Sequence, residues 1–160
     1  MLLSQECGIV PVCSDEDMSA EIVCDTVNMG KYNHACFIFV TDSGVAAGGS
    51  LTIEGAAADG SHTTALTFAY RYGGAAVGSA GADVLTTPVL ATTCAIGDLD
   101  DYVIVAEIDA DEMYTGTTYY PYLTAVFDGA GAAAGQVSGV CILSQPRYEK
   151  DIMPTAIPTT

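Results

Sequence analysis

Short runs of alternating apolar and polar residues, broken by Gly, Asp, Asn and Ser, dominate the chain. From Tyr32 to Thr41, YNHACFIFVT places His34, Cys36, Ile38 and Val40 on one side of an extended segment, with Ala35, Phe37 and Phe39 on the other. Both sides are largely apolar, which predicts a central strand covered on both faces. Leu51 and Ile53 lead into a second run, and Leu66, Phe68 and Tyr70 return after a tip at Asp59-Gly60, the pattern of a β-hairpin. A Gly/Ala stretch at 73–83 has too few large side chains to build core, and Pro88 marks the next run as an edge strand. DYVIVAEIDADEM at 101–113, TTYYPYLTAVFDG at 117–129 and QVSGVCILSQPRY at 136–148 supply three further strands. No long window repeats apolar residues at helical spacing.

These elements predict an all-β protein, a single β-sandwich or jelly-roll-like domain over residues 21–148. Residues 1–20 lack periodicity and read as an extended N-terminal arm. Residues 149–160, with Pro154 and Pro158, read as an extended C-terminal arm whose Ile152 and Ile157 are candidate partner contacts. A chain of 160 residues has room for one core. Its start has neither a basic n-region nor a continuous apolar h-region, so no secretory signal is expected. No apolar run approaches the roughly 20 residues of a membrane span.

Charge changes the picture more than length does. Twenty acids stand against four cations, for a formal net charge of -16. Nucleic-acid backbones and anionic membranes are bound through clustered Lys and Arg, so direct binding to either is not expected. The acids gather at the end of the strand at 102–112. There Glu107, Asp109 and Asp111 share one side, about 6.6 Å apart at an extended rise of about 3.3 Å per residue, and Tyr102, Ile104, Ala106 and Ile108 face the other way. Burying three like charges without partners is very costly. The carboxylates must therefore be hydrated, opposed to a basic surface on another molecule, or bound to a hard cation. Ca²⁺ takes six to eight oxygens, and Asp109, Asp111 and Glu112 are the candidate ligands, although neither this segment nor GDLDD at 97–101 matches an EF-hand loop.

Motifs for chemistry are missing. The chain has no GxSxG, no GxxxxGK[ST], no GxGxxG after a strand and no HExxH, so no enzyme activity and no cofactor are expected. His34 reads as a packed strand residue and His62 as an exposed tip residue. Six cysteines occur without a CxxC pair; they read as reduced thiols, with Cys7 and Cys13 the first pair to consider for a bridge. Tyr119, Tyr120 and Tyr122 alternate along one run and read as packed rings with polar tips, or as an aromatic partner-binding face.

The segment order VNMGKYNHACFIFVTDSG, LTIEGAAADGSHTTALTFAYRY, DYVIVAEIDADEM and YLTAVFDGAGAAAGQVSGVCILSQPRY, from about residue 26 to 148, resembles small β-rich virion proteins of tailed bacteriophages. The resemblance implies a capsid decoration (cement) subunit, made in the host cytoplasm and bound to the exterior of an icosahedral head, where it bridges major capsid subunits. It implies a homo-oligomer, a trimer above other numbers, with its acidic face turned to solvent and away from packaged DNA. Two alternatives keep the residue pattern: a tail or head-completion virion subunit, and a Ca²⁺-dependent extracellular β-sandwich binding module.

Overall fold

The computed structural model describes residues 7–45, 48–128 and 135–147. Fourteen strands run in chain order: β1 (Gly8–Asp17), β2 (Ile22–Val23), β3 (Val27–Asn28), β4 (Tyr32–Thr41), β5 (Ser50–Ala56), β6 (Thr64–Ala65), β7 (Phe68–Tyr72), β8 (Val89–Ala91), β9 (Cys94–Ala95), β10 (Val103–Asp109), β11 (Tyr114–Thr115), β12 (Thr118–Tyr119), β13 (Tyr122–Asp128) and β14 (Gln136–Pro146). The first sheet has the order β1-β14-β4-β10-β7-β8. The second has the order β2-β13-β5-β6, with β3 also on β13 and β9 also on β5, and β11 and β12 form a small separate ribbon. Every strand pair is antiparallel. The chain is all-β, as the alternation predicts, and its two sheets enclose one core.

Period-two alternation decides which side chains fill that core. On β4, Tyr32, Ala35, Phe37, Phe39 and Thr41 are buried. From β10 come Ile104, Ala106 and Ile108, and from the second sheet Leu51, Ile53, Leu123, Ala125 and Phe127. Phe39 meets Phe127 edge-to-face across the sandwich, with ring centroids 4.8 Å apart. Such an aromatic contact contributes about 0.5–1.5 kcal/mol beyond its burial. Two hydroxyls lie among these buried residues: that of Thr41 donates to the Leu99 carbonyl at 2.5 Å, which satisfies a group that would otherwise be costly inside, whereas that of Tyr32 has no hydrogen-bond partner among the described residues.

Three expectations are corrected. Gly8–Asp17, expected within an extended arm, is strand β1 hydrogen-bonded to β14, with Val10 and Val12 in the core. Pro11 is tolerated there because β1 is an edge strand that needs no further partner for that position. Its alternation is obscured by two register shifts, one on each side of Cys13. The hairpin of residues 51–70 is shorter than expected. β6 pairs with β5, but at Leu66 the chain crosses the core and β7 joins the other sheet. Lastly, β4 is central but not covered on both faces; its second face is open among the described residues. The C-terminal segment with Ile152 and Ile157 lies outside the described residues.

Candidate functional site

The open face of the first sheet is built in rows, because antiparallel register aligns side chains of neighbouring strands. One row runs Pro11, Val140, Ile38, Val105 and Arg71, and the next runs Ile9, Ile142, Cys36, Glu107, Ala69 and Leu90. Val40 and Val103 face each other in a third row, with Ser138 beside Val40. Ile38, Val103, Val105, Val140 and Ile142 are half-buried by their neighbours alone. Ile9, Val40 and Leu90 are 49%, 44% and 64% exposed. Scattered exposed aliphatics are ordinary, but here they form a contiguous field across β1, β14, β4 and β10 among the described residues.

The carboxylates lie towards the two ends of this face, and Arg71 ends its first row on β7. At one end His34 stands opposite Asp109 on the neighbouring strand. Its Nδ1 lies 2.7 Å from Asp109 Oδ1 and its Nε2 lies 3.6 Å from Glu107 Oε1. The imidazole thus separates two carboxylates that would otherwise repel each other two residues apart on one strand. At the other end Asp15, Asp42 and Asp101 line a hollow with Val40, Val77 and Ser138. Cys36 sits in the aliphatic field, and burial, with Glu107 beside it, pushes its thiol up to about 11. It is therefore a protonated, apolar side chain at neutral pH and no nucleophile.

The sequence-predicted cation ligands are not gathered into one set. Asp109 turns its carboxylate to His34, and its backbone N–H donates to Glu112 Oε2 at 3.0 Å, closing the turn after β10. Asp111 lies beyond the end of that strand. Among the described residues no group of three His, Cys, Asp or Glu is arranged to hold a metal ion.

The tyrosines are also divided. Pro121 ends one strand before the next begins, so Tyr119 belongs to β12 and Tyr122 to β13. Tyr119 lies 5.0 Å from the Tyr114 ring, and Arg147 reaches over it at 5.9 Å. The same guanidinium donates to Tyr119 Oη at 3.3 Å and, through Nε, to the Tyr32 carbonyl at 3.1 Å. Tyr120 packs against the core over Gly55, and Tyr122 is half-buried beside Asn28 and Ala56. His62, expected at an exposed tip, is half-buried, with Nδ1 3.1 Å from Glu54 Oε2. Sequence reasoning missed the exposed cluster Val84, Leu85, Val89 and Leu90 at the β8 edge; its signal is that residues 84–97 hold no charged residue.

No protein-family model matches the chain, and no curated protein is similar to it. Among solved structures it is similar to the SPBc2 prophage-derived protein YomS, at 10% identity and a TM-score of 0.49, over 86% of this chain and 92% of that one. It is also similar to a structure titled Desmodium yellow mottle tymovirus, at 12% identity and a TM-score of 0.32, over 91% and 88%. At these values neither likeness bears on what this chain does.

Proposed function

We propose that this chain is a virion structural subunit that docks through the open face of its first sheet, and more narrowly a capsid decoration subunit on the head exterior. The observation that carries the reading is that aliphatic face, with its carboxylates held to the two ends. Burying one such side chain fully contributes about 1.5–3 kcal/mol, so a partner that covers the field gains much and desolvates little charge. The segment order shared with small β-rich phage virion proteins supports the narrower reading, as does an acidic surface suited to solvent rather than to packaged DNA. In this reading the partner is the major capsid protein, and the subunit acts as a homo-oligomer, a trimer first.

The test is quantitative mass spectrometry of purified particles of the phage that encodes the chain, with rebinding of the purified protein to particles stripped of it. A copy number comparable to that of the major capsid protein, and saturable rebinding, are the expected results. A copy number of a single ring would instead place the chain at head completion or the tail. Absence from particles would overturn the virion reading altogether.

A further inference from the structure

Cys13 and Cys24 stand at the corner where the two sheets meet. Cys13 lies on the edge strand β1, and Cys24 lies between β2 and β3 on the other sheet. The chain reverses between these segments. The Asp25 N–H donates to the Val12 carbonyl at 2.8 Å, and the Cys24 N–H donates to the Ala125 carbonyl at 3.0 Å. The Asp25–Val12 bond brings the residues next to it, Cys24 and Cys13, close together at this corner. The two side chains interact, both thiols are reduced, and both border one open depression with Ser14, Glu16 and Asp25. They differ in access: Cys24 is buried, whereas Cys13 is half-buried.

The first bridge considered from sequence, Cys7 to Cys13, is ruled out by the same geometry. Six residues of mostly extended chain separate them by about 20 Å. Cys36, Cys94 and Cys141 are held protonated by burial. Interaction with the Cys24 side chain lowers the Cys13 pKa below the ordinary thiol value, against burial and the charges of Glu16 and Asp25, while the same interaction and burial raise Cys24. An accessible thiol with a lowered pKa beside a buried second thiol is the arrangement of an attacking and a resolving cysteine.

We propose that Cys13 and Cys24 form a dithiol–disulfide site that reacts with low-molecular-weight disulfides, Cys13 attacking and Cys24 resolving. The Cys13 thiolate attacks one sulfur of the small disulfide. That S–S bond breaks, and the departing thiolate takes a proton from water. Cys24 then loses its proton to solvent and attacks Cys13 Sγ, releasing the second small thiol. Two protein thiols are oxidised to one disulfide while one small disulfide is reduced to two thiols. Glu16 and Asp25 beside the depression favour a cationic disulfide over an anionic one. The bond ties the free edge of the first sheet to the second sheet and closes the corner of the sandwich.

The test is to incubate the reduced full chain with cystamine, which is cationic, or with glutathione disulfide, which is anionic, and to follow intact mass and mapped peptides. The expected product has lost two hydrogens, carries a Cys13–Cys24 cross-linked peptide, forms faster with cystamine, and melts higher until dithiothreitol reverses it. Cys24→Ser, or Cys24→Ala if that variant does not fold, is expected to stop at a mixed disulfide on Cys13. A wild-type chain that keeps both thiols, that stops at a mixed disulfide, or that links Cys13 to a different cysteine would overturn the proposal.

Discussion

Among the described glycines, Gly139 has the least room for a side chain. It lies on β14 opposite Phe39 of β4, and the Phe39 ring occupies the space its missing side chain leaves. A Cβ built there would fall on Phe39 Cδ1, would come within 2.6 Å of Cε1, and would lie 3.2 Å from the Ile38 carbonyl oxygen. Carbon atoms at contact need about 3.5–4.0 Å, so Gly139→Ala forces the ring to move by roughly 1 Å or β14 to lift. The ring has nowhere easy to go, because Phe127 meets it edge-on at 4.8 Å. Overpacking of this kind costs about 1–3 kcal/mol, and a weakened aromatic pair adds about 0.5–1.5 kcal/mol. The expected loss is about 2–4 kcal/mol, which at this size lowers Tm by roughly 5–15 °C. Urea and thermal melts followed by circular dichroism measure it. A double-mutant cycle with Phe39→Leu is expected to return a favourable coupling of about 1 kcal/mol or more, since the smaller side chain removes the clash. A Gly139→Ala protein that melts within about a degree of wild type would refute this packing argument, and with it the claim that β14 is held to β4 by ring-in-notch fit.

Ile38→Thr combined with Val105→Thr, a polar cross-strand pair that suits a sheet, is expected to weaken rebinding to stripped particles strongly while changing stability by only about 1 kcal/mol, because both positions lie on the open face; unchanged binding in a particle assay would remove the face from the docking reading. Arg147→Ala is expected to cost about 1–2 kcal/mol in a denaturant melt, since the guanidinium donates to the Tyr32 carbonyl and Tyr119 Oη and covers the Tyr119 ring. Stability is expected to fall as pH rises from 9 towards 12. Burial pushes Cys36 up to about 11 and Cys94 up to about 12, from an ordinary 9.0. The unfolded chain therefore loses these protons first, and the stability present below pH 9 is lost as pH climbs through the folded values. Urea midpoints measured across that range check the sign, and Cys94→Ala is expected to flatten the slope.

How far the sequence could be read depended on how far apart the interacting residues stand in the chain. β4, β5, β10 and β14 announce themselves through local alternation, and the core rows of β4 and β10 follow from it residue by residue. β1 did not, because Pro11 and two register shifts interrupt its alternation within ten residues. The tyrosine run was misjudged as one strand because the break at Pro121 depends on β12 finding β11 and β13 finding β5. The His34–Asp109 contact joins residues 75 apart, and only the register of β10 on β4 creates it. The dithiol corner escaped for a similar reason. Neither cysteine lies in a recognisable motif, and it takes the reversal of the chain after β1 to face them.

The most instructive difference concerns β4. Apolar residues on both sides of that strand predicted cover on both sides, and within the described residues only one side has it. The physical argument behind the expectation is still sound, since an aliphatic side chain gains by leaving water whoever supplies the cover. It does not specify that the cover comes from the same chain. Once one sheet face is filled by the second sheet, the remaining apolar rows of β14, β4 and β10 have no cover among the described residues, and in the proposed reading another molecule supplies it. The charge pattern narrows what that molecule is. With twenty acids and four cations, two copies meeting broadside would bring like charge together. The face proposed for docking holds its acids at the two ends, with Glu107 and Asp109 at His34 and Asp15, Asp42 and Asp101 at the hollow. Aliphatic rows at the centre supply the affinity, and the acidic ends set the orientation and reject other acidic surfaces. In the proposed reading, a surface organised in that way fits one side of a shell better than it fits its own copy.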